Sequence, residues 1–297
     1  MWVSDNWNKN EYELLDASGG ERLERWGKYI LIRPDPQIIW DSGRNHPLWN
    51  KADGIYRRSS SGGGSWVKND LPENWDITYA RSGLSFSLKP MGFKHTGLFP
   101  EQAVNWDWIS ALIAARKEKD AGNEVKVLNL FAYTGGATAA AAKAGASVCH
   151  VDAAKGMVAC AKDNLRLSGL ADAPVRYIVD DCKKFVEREI RRGNRYDGII
   201  MDPPSYGRGP SGEVWKLEDS IAEFVALCAQ VLSDNPLFFL INSYTTGLSP
   251  LTMRYITELE ITQKHGGTTE AGELALPVTQ TGGLLPCGAS SRWSGSI

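Results

Sequence analysis

The chain has 297 residues, with 33 Lys and Arg against 35 Asp and Glu, a formal net charge of −2, 42% hydrophobic and 23% charged residues. This composition excludes a disordered, collagenous or coiled-coil chain, and the length suffices for one large or two medium domains with full cores. The near balance of charge excludes nucleic-acid binding driven by bulk positive charge, so an acidic partner must meet a local basic patch. Five cysteines, Cys149, Cys160, Cys182, Cys228 and Cys287, contain no CxxC pair, which points to neither a zinc site nor a disulfide framework; no metal is expected, and a reducing cytoplasm suits free thiols. The start, Met-Trp-Val-Ser-Asp-Asn-Trp, lacks the texture of a leader, and the most apolar run, residues 237–241, is far shorter than a membrane span.

Up to about residue 95 the chain is rich in Trp, Gly and Pro. Residues 29–32 and 38–40 flank Arg33-Pro34-Asp35-Pro36 and predict a β-hairpin. Residues 59–65, Ser-Ser-Ser-Gly-Gly-Gly-Ser, read as a flexible loop, and 75–79 and 84–88 as two more strands, the second alternating apolar residues with Ser. Residues 1–95 are therefore expected to form a small antiparallel β-rich accessory domain. Its Arg25, Lys28, Arg33, Arg44, Lys51, Arg57, Arg58 and Lys68 lie among tryptophans, a mixture suited to RNA, although so small a unit needs most of Trp26, Trp40, Trp49, Trp66 and Trp75 for its core. Lys89, Lys94 and His95 are placed to flank a substrate entrance or to sit on a solvated loop.

Residues 96–297 read as a second domain. Helical stretches at 101–119, 137–144, 153–168, 183–192 and 219–232 alternate with short apolar strands at 126–130, 146–151, 175–179, 198–201 and 237–242. Such alternation specifies an α/β fold with a parallel sheet covered on both faces, whose ligands bind beyond the strand carboxyl ends. Residues 273–278 and 284–293, around Thr281-Gly282-Gly283, predict a terminal antiparallel hairpin.

Four motifs follow four successive strands. The first is Phe131-Ala132-Tyr133-Thr134-Gly135-Gly136, a glycine turn through which backbone can approach a ligand; it lacks the G-x-G-x-x-G spacing of a dinucleotide site. Asp152 ends the second strand, where a carboxylate can accept both hydroxyls of a ribose. Asp180 and Asp181 end the third, where a carboxylate can accept an adenine amino hydrogen. Taken singly, each acid could be a helix cap and the glycine pair a tight turn, but the order favours an adenosine ligand. The fourth is Asp202-Pro203-Pro204-Ser205-Tyr206. The Asp202 carboxylate and the Pro203 carbonyl can accept the two hydrogens of an exocyclic amine, while Tyr206 offers a face for an extruded base. Alternatively, the prolines form a rigid turn and Tyr206 is a core aromatic.

With Asn164 and Ser168-Gly169-Leu170, these motifs resemble those of the class I S-adenosylmethionine-dependent methyltransferases. The branch most similar is the bacterial large-subunit ribosomal RNA methyltransferases that carry a small β unit; His95-Thr96-Gly97-Leu98-Phe99-Pro100-Glu101-Gln102 resembles the segment by which that branch enters its catalytic domain. The resemblance implies a Rossmann-like sheet whose reversed last strand is the terminal hairpin, S-adenosyl-L-methionine as cofactor, and RNA, above all ribosomal RNA, as partner. It implies Phe131, Tyr133, Thr134 and Gly135 around the methionine part, Asp152 at the ribose and Asp181, or else Asp180, at the adenine, with Asp202, Pro203 and Tyr206 holding the acceptor. In the family's cytosine C5 branch a cysteine follows the fifth strand; here the stretch is Asn242-Ser243-Tyr244-Thr245, so N-methylation is expected. Methylation of a protein amide or a small molecule, and a non-catalytic RNA-binding factor, remain alternatives, since the Asp-Pro-Pro loop suits any planar amine. A nicotinamide-dependent oxidoreductase is opposed by the missing glycine spacing.

Overall fold

The computed structural model describes residues 1–59, 63–92, 94–120, 122, 124–208, 214–245 and 247–296. Two compact units make up the chain: Val3–Val104 with Ala275–Pro286, and Met1–Trp2 with Asn105–Leu274 and Cys287–Ile297.

In the N-terminal unit, after β1 (Trp2–Val3), the strands β2 (Tyr12–Ser18), β3 (Glu21–Trp26), β4 (Tyr29–Pro34), β5 (Gly54–Arg58) and β6 (Gly64–Lys68) form one sheet in sequence order. β7 (Trp75–Tyr79) and β8 (Leu84–Leu88) make a separate hairpin, as the alternating pattern predicts. The hairpin expected across 33–36 is not formed. β4 pairs antiparallel with β3 and parallel with β5, so the sheet is mixed. Residues 38–40 are not a strand: Pro34 and Pro36 have no N–H to give to a ladder, and the chain folds back so that the Ile38 and Trp40 carbonyls accept from Gly20 and Gly19. The loop expected at 59–65 lies in part, at 60–62, outside the described residues, and its end begins β6.

β2 and β3 escape a hydrophobic-pattern reading because β3, Glu-Arg-Leu-Glu-Arg-Trp, is mostly charged. Its Glu24 is fully buried and receives bidentate bonds from Arg33 at 2.6 and 2.7 Å and the Tyr12 hydroxyl at 3.0 Å. Arg22 pairs with Asp35 beside it. Trp26, Trp49 and Trp75 are buried, which confirms their place in the core. Arg33 and Lys94 are turned inward, Lys94 Nζ donating to the Pro34 carbonyl at 2.9 Å, so neither is a surface cation; Lys28, Lys51, Arg57, Arg58 and Lys68 are exposed.

The other unit is an α/β sheet. Its elements are α1 (Ala103–Lys119), β9 (Lys126–Leu130), α2 (Gly136–Lys143), β10 (Ser147–Asp152), α3 (Lys155–Leu167), β11 (Val175–Val179), α4 (Cys182–Arg192) and β12 (Gly198–Met201). A short hairpin, β13 (Tyr206–Arg208) and β14 (Val214–Lys216), precedes α5 (Leu217–Ala229), β15 (Phe238–Ser243) and α6 (Pro250–Thr257); β16 (Thr268–Pro277) and β17 (Leu284–Ser294) close the chain. The order is β1-β16-β17-β15-β12-β9-β10-β11, with β15, β12, β9, β10 and β11 parallel and β17 antiparallel to β15. Predicted and observed elements agree within two or three residues, except that β16 begins at Thr268, five residues before its expected start at 273. Further exceptions are α6, announced by Ser249 as N-cap before Pro250, and the β13–β14 hairpin.

Continuous apolar strands such as Phe238–Ser243 are buried on both faces, as parallel strands covered by helices must be. Leu128, Val151, Ile199, Phe224, Phe239 and Trp293 belong to one contiguous core. From β9 the chain winds outward through β10 and β11, then α4 returns it to β12 on the other side of β9. The strand order therefore reverses between β9 and β12, and the carboxyl ends of those two strands bound the crevice where α/β sheets take ligands. Among the described residues, no helix is long and apolar enough to cross a membrane, and no group of three His, Cys, Asp or Glu could hold a metal.

Candidate active site

The glycine loop leaves β9 in a contorted path: Phe131, Tyr133 and Gly135 have φ of 54°, 50° and 84°. Two aromatic residues in the left-handed region cost on the order of 1–3 kcal/mol each, and such strain persists only where neighbours enforce it. Here they do. The Phe131 N–H meets Cys182 Sγ at 3.3 Å, the Tyr133 N–H donates to Asp152 Oδ2 at 2.8 Å, and Asn164 Nδ2 on α3 donates to the carbonyl of buried Thr134 at 2.9 Å. The space a Cβ at Gly135 would need is filled from α3, by Ala161 Cβ at 2.8 Å, and that at Gly136 by the Trp106 ring at 2.7 Å. The glycines therefore admit helix and ring close to the loop, a packing role added to the one expected from sequence.

Asp152 Oδ1 accepts the Ala154 N–H at 2.8 Å, so its carboxylate is oriented by two backbone donors, one from each side; Ala154, not Asp152, is the N-cap of α3. Asp181 is the N-cap of α4, Oδ1 accepting the Lys184 N–H at 2.9 Å, while Asp180 pairs with Arg188 and accepts the Asp181 N–H. The helix-cap reading thus applies to Asp181 and not to Asp152. Deep to the loop, Thr138 Oγ1 lies 2.9 Å from both Asn129 Nδ2 and His150 Nδ1. Burial lowers the His150 imidazole to about 4.

Beyond β12, Asp202 is half-buried, Pro203 buried and Tyr206 54% exposed. Several bonds hold the loop they form: the Asp202 N–H donates to the Leu130 carbonyl at 3.4 Å, Trp215 Nε1 to the Pro204 carbonyl at 2.7 Å, the Leu217 N–H to the Ser205 carbonyl at 3.0 Å, and Thr245 Oγ1 to Ser205 Oγ at 2.6 Å. Trp215, Phe224 and Phe131 form a mutual ring cluster with centroids 5.6 to 5.9 Å apart. Neither Trp215 nor Thr245 is marked in the sequence; a Trp eleven residues beyond an Asp-Pro-Pro turn carries no periodic signal. Burial raises the thiols, Cys149 to about 11 and Cys182 and Cys228 further, so none of the three is a thiolate nucleophile; Cys287 is buried as well.

The sheet thus presents carboxylates after β10 and β11, the N–H groups of the first turn of α2 beside a strained loop, and an Asp-Pro-Pro turn after β12. Carboxylates suit the ribose hydroxyls and adenine amine of S-adenosylmethionine, and a helix N-terminus suits its carboxylate. The chain matches a family model described as S-adenosylmethionine-dependent methyltransferase over residues 18–219. It is 29% identical over 256 residues to a ribosomal RNA large subunit methyltransferase K/L of Shewanella frigidimarina, an alignment covering 78% of this chain but only 34% of that relative. The chain thus spans about a third of the length of this curated relative and less of others. Among solved structures, the SAM-dependent methyltransferase of Agrobacterium tumefaciens superposes with a TM-score of 0.89 at 36% identity, covering 99% of this chain and 93% of the other. A Streptococcus mutans protein described as a SAM-dependent methyltransferase shares the fold, with a TM-score of 0.72 at 19% identity, covering 97% and 76%. With two thirds of its length inside the family model, the chain belongs to the S-adenosylmethionine-dependent methyltransferases.

Proposed function

We propose that this protein N-methylates a base amine of large-subunit ribosomal RNA in the cytoplasm. The observation that carries the reading is the Asp-Pro-Pro turn at the carboxyl end of β12, across the strand-order reversal from the glycine loop after β9. S-adenosylmethionine supplies an electrophilic methyl group. Phe131, Tyr133, Thr134 and Gly135 bind its methionine part, Asp152 the ribose, and Asp181, with Asp180 as the second candidate, the adenine. Asp202 and the Pro203 carbonyl accept the two hydrogens of the acceptor amine and so aim its lone pair; Trp215 occupies the Pro204 carbonyl instead. Exposed Tyr206 stacks on the base. Positioning supplies most of the catalysis, because an in-line displacement gains chiefly from alignment.

N-methylation is favoured over cytosine C5 attack because Tyr244 stands where that chemistry places a cysteine and the buried thiols are protonated. Ribosomal RNA is supported by the name of the Shewanella relative. Residues 1–95 act as the accessory domain, through Lys28, Lys51, Arg57, Arg58 and Lys68.

The test compares nucleoside masses in ribosomal RNA from cells with and without the gene. One methylated nucleoside is expected to disappear; if none does, a protein amide or small molecule is the acceptor. Asp202→Ala should cut transfer about 100-fold with S-adenosylhomocysteine affinity within about threefold, the size of effect seen when a reacting group loses its positioned partner. Full biological activity of that variant would instead indicate a non-catalytic role.

A further inference from the structure

We propose that Trp215 is a positioning residue that couples the cofactor loop to the acceptor loop, so that ordering the chain at Phe131 sets the arrangement of Asp202 and Pro203. This rests on the reading that the Asp-Pro-Pro turn holds the acceptor. Two contacts of one side chain carry it. The indole N–H holds the Pro204 carbonyl at 2.7 Å, and the indole ring lies against the ring of Phe131 with centroids 5.9 Å apart and planes at 45°. Phe131 is the first residue of the glycine loop, held at φ 54°, so its ring direction follows from a strained backbone rather than from free rotation about an ordinary strand end. Phe224 backs both rings, at 5.6 Å from Trp215 and 5.7 Å from Phe131, so neither can move without the other repacking.

Trp215 is itself delivered by the β13–β14 pairing, where it lies opposite Gly207, one residue past Tyr206. The strand that presents the stacking tyrosine and the strand that presents the indole are therefore one hairpin. A core tryptophan would need only its ring; the N–H bond to the acceptor turn is what distinguishes a coupling element from packing. The bonds from Leu217 and Thr245 to Ser205 involve no residue of the glycine loop, and the bond from the Asp202 N–H to the Leu130 carbonyl, 3.4 Å, joins main chain to main chain where β9 and β12 end and engages no side chain of that loop. The consequence is ordered use of the site: cofactor contact at Phe131 stiffens the turn, and the amine acceptors are formed when the methyl donor is in place.

Amide hydrogen exchange with and without S-adenosylhomocysteine tests this without turnover. In the unsubstituted protein the ligand should slow exchange at Ser205, Tyr206 and Gly207 about tenfold, a coupling in the usual range. Trp215→Phe keeps a ring against Phe131 and Phe224 but has no N–H; there the slowing should vanish while ligand affinity stays within about threefold and the unfolding midpoint within about 4 °C. Phe131→Leu removes the ring contact from the other side, keeps the indole N–H, and should abolish the same slowing. In turnover, Trp215→Phe should lower kcat about tenfold at unchanged KM for the cofactor, the signature of lost alignment rather than lost binding. Undiminished slowing in both variants, or none in the unsubstituted protein, overturns the proposal. If the unsubstituted protein shows the slowing but methylates no RNA, the substrate reading fails and the coupling stands; RNA methylation without the slowing is the converse.

Discussion

In the N-terminal unit Glu24, Arg33, Asp35 and Glu101 are all buried, whereas the α/β unit encloses its strands in Leu, Ile, Val and Phe and leaves Asp152, Asp180, Asp181 and Asp202 at strand ends. Burial alone would raise the Glu24 carboxyl, but Arg33 outweighs it and holds Glu24 below the usual carboxylate range; Arg22 does the same for Asp35. For Glu101 burial outweighs the pull of Arg22 and Arg33, and its carboxyl is raised. One unit thus pairs its acids with arginines inside a mixed sheet; the other does so at Glu189, which is buried with Tyr196, Asn194 and Arg192, and has Asp152, Asp181 and Asp202 at the carboxyl ends of its strands.

Breaking that difference gives the largest effect. Glu24→Ala strands the Arg33 guanidinium and should cost about 3–5 kcal/mol of unfolding free energy in a denaturant titration; Glu24→Leu combined with Arg33→Met should recover most of it, since a buried pair is often replaceable by apolar residues. In the α/β unit, Asp152→Ala removes the acceptor of the Tyr133 and Ala154 N–H groups and should cost a smaller amount of stability, about 1–3 kcal/mol, while weakening S-adenosylhomocysteine binding by about ten- to a hundredfold in calorimetry, the worth of one or two charged hydrogen bonds. Unchanged affinity would remove Asp152 from the cofactor site. Gly135→Ala sharpens the contrast between loop and sheet: with φ at 84° and Ala161 in the way, it should lower stability by about 1–3 kcal/mol and cofactor affinity with it.

The smallest effect is on pH dependence. His150, held down to about 4 by burial, binds its proton more readily when unfolded, so its contribution is complete above about pH 6.5 and declines as pH falls from there toward 4. His95 in the N-terminal unit, lowered to about 4 by burial and then by Arg33 and Lys94, acts with the same sign. Unfolding midpoints should therefore fall between pH 6.5 and 5, and His150→Asn should flatten that fall; an unchanged slope would mean that His150 is accessible to protons in the folded state.

How far each region was legible follows from the same physics. β9 to β12 and β15 are apolar runs between helical periods, and their ends carry the motifs, so strand ends and candidate site residues are read together. β3 is hidden because its Glu24 is paired with Arg33 on β4, a relation between residues nine apart that no local pattern encodes. The 38–40 arm fails because an apolar triplet predicts a buried strand, while the Ile38 and Ile39 N–H groups turn back to the Asp35 and Gln37 carbonyls and Ile39 is left exposed.

The amino-acid sequence by itself determined the α/β class, the reversed terminal hairpin, the order of the four motifs and the exclusion of a bulk-charge nucleic-acid binder. These rest on local periodicity and on residue chemistry at strand ends. Tertiary structure decided which acid is a helix cap and which is held by two backbone N–H groups, why Gly135 has to be glycine, and which basic residues are turned inward. It also brought Trp215 to Pro204 and Phe131 at once. Each of these depends on which atoms meet across elements far apart in the chain, and only the packed sheet sets those distances.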